Sequence, residues 1–392
     1  MEPTEIAQRM TGFLLARPGG AEALLPAPTI QNHAAFLARL PDGALACLWF
    51  GGTLEGKSDI SIFAALLDEG AGQWAPAARL TDDPDRSEQN PVLFVAPDAR
   101  MWLFNTAQPA GNQDQARVQM RQVMRQGDRL VAKAARDTGL PSGTFIRAAP
   151  LIRDDGAWLL PLFRCNARPG IRWTGAFDTA ATALSADQGK TWSVSDIADS
   201  AGSVHMSPVN LPDGRLAALY RRRQADFVHR SESVDGGRTW SAPEPTDLPN
   251  NNSSIGVAAL PDGRIALVCN PVSAAESLSR RASLYDELDE LDETDDRPEA
   301  RQGCLPVWGV ERAPLSLCLS DDGGKTFPVR HVIENSAGTC VSNNSLDGRN
   351  KELSYPVILP RPDGGLDIAY TLHRRAIRHV RLEAGAIADP VR

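Results

Sequence analysis

Short stretches of alternating apolar and polar positions recur along the whole chain, most of them in pairs around a Pro-Asp-Gly turn. The clearest pairs are AAFLARLPDGALACLWF, MSPVNLPDGRLAALY, IGVAALPDGRIALVC and YPVILPRPDGGLDIAY, with PVLFVAPDARMWLFN and PLIRDDGAWLLPLF as looser copies. Proline presets φ at the second turn position and Asp-Gly closes the turn, so each pair reads as a β-hairpin. A second hairpin type repeats as Ser-x-Asp-x-Gly-x-Thr-aromatic: SADQGKTW (Ser185–Trp192), SVDGGRTW (Ser233–Trp240) and SDDGGKTF (Ser320–Phe327). LDEGAGQW (Leu67–Trp74) reads as a decayed fourth copy. In this box the Asp carboxylate can accept N–H groups of its own turn, Thr restarts the strand, and the aromatic ring packs beside it.

One hairpin of each type makes a four-stranded antiparallel sheet, the unit of a β-propeller blade. Blades fall near 30–80, 88–138, 143–197, 204–246, 253–333 and 354–388, close to the ~50-residue period of propeller arrays. The expected fold is therefore all-β, a single six-bladed propeller spanning 1–392, with seven blades left open by the poorly patterned region 270–310. The last blade lacks a complete second hairpin, and a strand near Thr11–Ala16 is expected to complete it. The acidic run Ser283–Ala300 (SLYDELDELDETDDRPEA) reads as a solvated insertion; a calcium loop is the sharper alternative, although the regular Asp-x-Asp-x-Asp-Gly spacing is missing.

The composition narrows the partners. With 41 Lys and Arg against 49 Asp and Glu, the net charge of -8 disfavours a nucleic-acid backbone, so an anionic ligand would need locally gathered arginines. No run approaches the ~18 apolar residues that cross a bilayer, and Phe13–Ala16 is too short for a signal segment. The six cysteines show no metal-ligand spacing, and Cys47, Cys269 and Cys318 lie in apolar strand patterns as reduced thiols do. These features lead to the expectation of a cytoplasmic protein without a membrane partner. No cofactor is expected, calcium being the open alternative, and nothing bears on oligomeric state.

Propellers place ligands at the mouth of the central channel, on loops leading into or out of the innermost strands. The box aspartates Asp187, Asp235 and Asp322 have complete structural roles and are not catalytic candidates. Polar groups interrupt the inner strands instead, at Gln31-Asn32-His33, Arg86-Ser87-Glu88-Gln89-Asn90, Gly143-Thr144-Phe145-Ile146-Arg147, Val204-His205-Met206, Asn250-Asn251-Asn252 and Glu352-Leu353-Ser354-Tyr355. Exits from the second strands add Asn105, Gln108, Gly111-Asn112-Gln113-Asp114, Tyr220-Arg221-Arg222-Arg223 and His373-Arg374-Arg375. Rotation should bring like positions of the blades to one axis. Each residue also has a plain structural role open to it: strand-end histidines, one of Arg221–Arg223 pairing with Asp226, turn asparagines, a strand tyrosine.

The three boxes on hairpins resemble the sialidase-like BNR repeat superfamily over residues of about 30 to 385. That resemblance implies a propeller acting on an oligosaccharide. The early Arg-Ile-Pro motif of exo-sialidases is absent, and FIRAAP (Phe145–Pro150) is a different pattern. The strings HAAFLARLPDGALACLWFGGTLEGKSDISI, RSEQNPVLF, GTFIR, PNNNSSI, RRASLYDE and ELSYP are similar to a subgroup that includes propeller polysaccharide lyases releasing a rhamnose–glucuronate unit. Elimination beside a uronate needs cations on the carboxylate, a base for the C5 proton and an acid for O4. Read that way, Arg147 and Arg221 or Arg222 neutralise the carboxylate, His33 or His205 is the base, and Tyr355 or a second histidine is the acid. Arg86, Gln89, Asn90, Asn105, Gln108, Arg222, Asn252, His373 and Arg375 are candidate contacts to a uronate-containing glycan, with Trp49 or Phe50 as an apolar platform. Hydrolysis would use two carboxylates or Tyr with Glu, and Glu55, Asp59, Glu88, Asp226 and Glu352 are the candidates. A non-catalytic glycan-binding propeller is the third reading.

Overall fold

A computed structural model describes residues 2–109, 113–281, 297–342 and 348–388. Helix α1 (Pro3–Arg9) precedes β1 (Leu15–Arg17) and β2 (Gly20–Leu24). The first sheet then follows as β3 (Gln31–Arg39), β4 (Leu45–Gly52), β5 (Ser61–Leu67) and β6 (Ala78–Arg79). The second contains β7 (Ser87–Val95), β8 (Met101–Gln108), β9 (Arg117–Gln126) and β10 (Arg129–Ala132), with β11 (Arg136–Asp137) also on β9. In the third, β12 (Thr144–Phe145) and β13 (Leu151–Ile152) share β14 (Trp158–Arg164), followed by β15 (Thr179–Ser185) and β16 (Ser193–Asp196). The fourth is β17 (Ser203–Asn210), β18 (Leu216–Arg222), β19 (Phe227–Ser233) and β20 (Glu244–Pro249). The fifth is β21 (Gly256–Ala259), β22 (Ile265–Cys269), β23 (Leu315–Ser320) and β24 (Val329–Glu334). The sixth starts with β25 (Leu353–Pro360), β26 (Leu366–Leu372) and β27 (Ala376–Leu382), after which α2 (Ala384–Ala388) ends the described chain.

Six antiparallel sheets thus form a six-bladed propeller, and the described residues hold no seventh blade. The ring closes because β2 pairs antiparallel with β27, from Gly20↔Leu382 to Leu24↔Arg378, and β1 adds outside it. The sequence pattern had placed this closing strand at Thr11–Ala16. It is displaced because the Phe13 and Leu15 side chains stay about half exposed, at 52% and 50%, whereas Ala23 and Leu24 enter the core between sheets. Gly20 sits where a Cβ would lie 1.9 Å from the Arg381 carbonyl oxygen, so glycine alone allows this close pairing.

The hydrophobic cores lie between adjacent sheets. One cluster joins Phe36, Leu48 and Phe50 of the first blade to Leu93 and Phe104 of the second and Leu160 of the third. Others seal the fourth blade to the fifth, the fifth to the sixth, and the sixth back to the first. Both hairpin types follow their sequence chemistry. Asp187, Asp235 and Asp322 each accept the backbone N–H and hydroxyl of Thr191, Thr239 and Thr326, between the third and fourth strands and far from the inner ones. In the decayed copy, Asp68 instead pairs with Arg125 of the next blade, while Trp74 stays buried and donates Nε1–H to His379 Nδ1. At the Pro-Asp-Gly turns, Asp42, Asp98, Asp155, Asp213, Asp262 and Asp363 each accept the N–H two residues on. The calcium-loop alternative falls mostly on residues 282–296, and Gly111-Asn112 of the second blade's exit on 110–112; both lie outside the described residues.

Two substitutions test this account. Ala99 takes the left-handed turn position (φ 64) that Gly43, Gly156, Gly214, Gly263 and Gly364 hold in the other blades. Ala99→Gly is therefore expected to stabilise the chain by about 0.5–1 kcal/mol, the relief of left-handed strain less the entropy cost of glycine, measured by urea unfolding. Gly20→Ala should instead destabilise by about 2–4 kcal/mol because the ring can no longer close at that pair. An unchanged midpoint would remove closure through β2 as a stability determinant.

Candidate functional site

Four inner strands carry one extra residue. Their register to the second strand shifts between His33 and Phe36, Gln89 and Val92, Val204 and Ser207, and Ser354 and Val357. In each bulge one non-glycine residue is left-handed: Ala34 (φ 61), Asn90 (φ 49), His205 (φ 52) and Tyr355 (φ 51). A bulge re-aims a side chain that regular alternation would send elsewhere. His205 and Tyr355 are equivalent positions, but His33 lies one residue earlier, in register with Val204 and Ser354. The expected positional identity of the six blades is thus corrected: convergence on the hub holds, strict equivalence does not.

Tyr355 is the centre of the assembly. Its ring centroid lies 4.3 Å from that of His33 and 5.6 Å from that of His205. Arg221, at the end of β18, donates from Nη1 to the Tyr355 hydroxyl (2.8 Å) and to His205 Nε2 (3.3 Å), and from Nε to Asn252 Oδ1 (2.8 Å). Its Nη2 is buried without a partner among the described residues. His33 mirrors His205: its Nε2 faces Arg374 Nη2 at 3.4 Å and its Nδ1 meets Thr371 Oγ1 at 2.9 Å, as His205 Nδ1 meets Ser254 Oγ at 3.0 Å. A guanidinium can only donate, so both Nε2 atoms accept and both Nδ1 atoms carry the proton. Burial, reinforced by Arg374 at His33 and by Arg221 and Arg223 at His205, holds both imidazoles well below the ordinary histidine range.

Behind His33 stands an ionic lattice. Glu352 accepts from Arg312 Nη1 (2.6 Å), Arg374 Nε (2.9 Å) and Ser354 Oγ (2.7 Å), and Arg374 also reaches Glu55. Burial alone would raise the Glu352 carboxyl, but Arg312 and Arg374 hold it well below the usual carboxylate range. Arg374 is presented by a tight turn in which it and His373 are both left-handed (φ 55 and 52), a strained arrangement of the kind that recurs at functional sites. On the other side Arg223 grips Asp178 through Nε and Nη2 (2.9 and 2.6 Å) beneath two indoles. Its guanidinium carbon lies 5.7 Å from the Trp173 ring centroid and 5.1 Å from that of Trp308. Five buried guanidiniums (Arg147, Arg221, Arg223, Arg312, Arg374) therefore face three carboxylates (Glu55, Asp178, Glu352). Among the described residues Arg147 and Arg221 are the two of these without a carboxylate, and burial pulls each down to about 10.

Of the candidates, His33, His205, Arg221, Tyr355 and Asn252 meet at the mouth, with Glu55 and Glu352 in the lattice behind His33. The others do not. Arg147 lies under Tyr355, donating Nη2 to the carbonyls of Ala35 and Tyr355, so it is a brace of the bulges and not a carboxylate ligand beside the imidazoles. Asn105 is taken by Arg121, which also holds Glu88, and Gln89 donates to Ser87 and Asn90 to Thr106, all within the second blade. Gln108 is buried there too, and Arg86 is half-buried at the start of that blade. Arg222 turns to Ala201, Ser203 and Asp226 because successive strand residues face opposite sides. His373 is buried against Gly338, and half-buried Arg375 offers its carbonyl to Asn32. Trp49 is no platform: fully buried, it stacks on Phe63 and donates to Asn32. Phe50 is buried edge-on to His33. Trp173 and Trp308 supply the aromatic wall. With Arg312 and Asp178 they sit in loops without periodicity, where no local pattern marks a site residue, whereas Arg374 belongs to the exit His373-Arg374-Arg375 and its inward turn follows from two left-handed residues.

The family model described as BNR repeat-like domain matches residues 43–368. No curated protein sequence matches the chain. Solved structures share its fold at low identity. The Hadza microbial sialidase Hz136 superposes with TM-score 0.66 at 11% identity, over 91% of this chain and 66% of its own. A Dyadobacter fermentans protein of unknown function gives 0.65 at 13%, over 92% and 97%. The Ruminococcus gnavus intramolecular trans-sialidase gives 0.58 at 13%, over 93% and 96%. The chain thus spans just under two thirds of the first of these.

A pH prediction follows from the buried imidazoles. Unfolded histidine titrates near about 6.5, and the folded values of His33 and His205 lie below it. The unfolded chain therefore takes up protons first, so stability is full above that pH and declines as pH falls below it. Thermal melts should show a Tm that is level above about pH 6.5 and drops below it. The slope should be shallower in His205→Gln, and an identical slope would remove His205 from the linkage.

Proposed function

The chain belongs to the BNR repeat-like domain family, and from that premise we propose that it is a carbohydrate-active enzyme cleaving beside a uronate by β-elimination. The observation that carries this reading is Arg221: a buried cation that, among the described residues, has no carboxylate and no partner on Nη2, yet touches both a neutral imidazole and the Tyr355 hydroxyl. A uronate carboxylate on Nη2 would offset that unbalanced charge and acidify C5. His205 Nε2 then takes the C5 proton, the electron pair forms the C4=C5 double bond, and the C4–O4 bond breaks. Tyr355 gives its hydroxyl proton to O4. The imidazolium returns a proton to the phenolate, which restores both groups with no external reagent. Arg221 stabilises the phenolate meanwhile, and His33 is the second neutral imidazole against the same ring. Trp173 and Trp308 suit the apolar face of a neighbouring sugar. Because the reacting groups are almost wholly buried, a chain end fits better than an internal bond, which favours exo action on a rhamnose–glucuronate type of oligosaccharide.

A sialidase-type hydrolysis is the second reading. It is favoured by the guanidiniums of Arg147, Arg221 and Arg312 within 5.7–5.8 Å of the Tyr355 ring, and by the sialidases among the structural neighbours. Two observations weigh against it. Among the described residues the Tyr355 hydroxyl bonds to Arg221 and to no carboxylate. Glu352, locked by two arginines, is held low, whereas a glycosidase acid needs a raised pKa.

Incubation with rhamnosyl-glucuronate oligosaccharides should produce the ultraviolet absorbance of an unsaturated uronate. His205→Ala and Tyr355→Phe should each lower kcat by about 10²- to 10⁴-fold. A saturated product, sialic acid released from a fluorogenic sialoside, or saturable binding without turnover would each sink the elimination reading.

A further inference from the structure

On the side of Arg147 away from the two imidazoles of the proposed site, the inner strands line a half-open cavity of about 390 Å³. Its walls are mainly apolar, with Phe36, Phe94, Pro208, Ile255, Val257 and Ile358 among them, and include no Asp or Glu. Two cations reach it. Arg39 is paired with Asp367 (3.0 Å) and bonds the Gly43 carbonyl. Arg147, only 6% exposed, has no carboxylate partner among the described residues. Its Nη2 serves the carbonyls of Ala35 (2.8 Å) and Tyr355 (3.1 Å), Nε is buried and unpartnered, and Nη1 makes no hydrogen bond to the described residues.

We infer that this cavity is a second binding site, taking a small organic monoanion with an apolar body whose carboxylate sits on Arg147. A buried guanidinium without a counter-ion carries a desolvation cost that an anion offsets, and a charge-assisted bond to its spare Nη1 is of the strong kind. The rest of the lining is mainly apolar, so an inorganic ion would leave most of the pocket unfilled and much of its own hydration unreplaced. An aryl or branched aliphatic carboxylate matches both features. The site stands apart from the reading of the mouth: Tyr355, His33 and His205 are not among its walls.

Thermal melts of the full chain with benzoate, neutral benzamide and chloride test the inference. Benzoate should raise Tm saturably, by about 3 °C well above its Kd, with benzamide inert and chloride weaker. The benzoate response should vanish in Arg147→Met and persist in Arg221→Met, which separates this site from the mouth. If Arg147→Met does not fold, Ala149→Trp keeps the guanidinium but fills the cavity, and it should abolish the response as well. No rise with benzoate, an equal rise with benzamide, a response surviving in Arg147→Met or Ala149→Trp, or one lost in Arg221→Met would overturn the assignment.

Discussion

The backbone pairing of β2 with β27 is the constraint on which the rest of the molecule depends. It supplies the fourth strand of the sixth blade from the opposite end of the chain and so brings the first blade against the sixth. The mouth sits on that seam. Asn32 N–H donates to the Arg374 carbonyl, Asn32 Nδ2 to that of Arg375, and His33 is held by Thr371. An open ring would leave His33 and Arg374 on separate blades, each without the partner that sets its charge and orientation.

Closure places the inner strands, but bulges decide what they present. In a regular strand His205 and Tyr355 would alternate with their neighbours between the two faces of the blade. The extra residue instead puts each in a left-handed conformation that costs on the order of 1–2 kcal/mol. Arg147 on the Tyr355 carbonyl, Arg221 on its hydroxyl and Ser254 on His205 are contacts that hold this geometry. The strain is local, and its supports come from other blades. That is why a tyrosine can be fixed between two imidazoles without any loop of its own.

Charge follows the same logic. Burying guanidiniums is costly unless carboxylates or hydrogen bonds compensate, and Arg223, Arg312 and Arg374 each have a carboxylate in contact. Among the described residues Arg221 and Arg147 do not, and they lie on opposite sides of Tyr355, one donating to its hydroxyl and one to its carbonyl. The chain has a net charge of -8, yet its hub holds a local excess of cations. That excess lies in the interior of the propeller, where burial leaves it little screened.

Hairpin pairs, Asp boxes and their period were legible because they rest on local chemistry: an Asx turn, a left-handed turn position and period-two alternation act within a few residues. Six blades, the scaffold role of Asp187, Asp235 and Asp322, and the meeting of His33, His205, Arg221 and Tyr355 near one axis could be read from that alone. The tertiary structure decided the remainder. It moved the closing strand to Gly20–Leu24, because pairing with β27 and burial of Leu24 outweigh the apolar run at Phe13–Ala16. It turned Arg147 and Arg222 away from the imidazoles and Arg374 toward them, since bulges and paired left-handed turn residues break the alternation from which side-chain direction is inferred. It also brought Trp173, Asp178, Trp308 and Arg312 to the mouth from loops, where position is fixed by contacts between blades that no local pattern encodes.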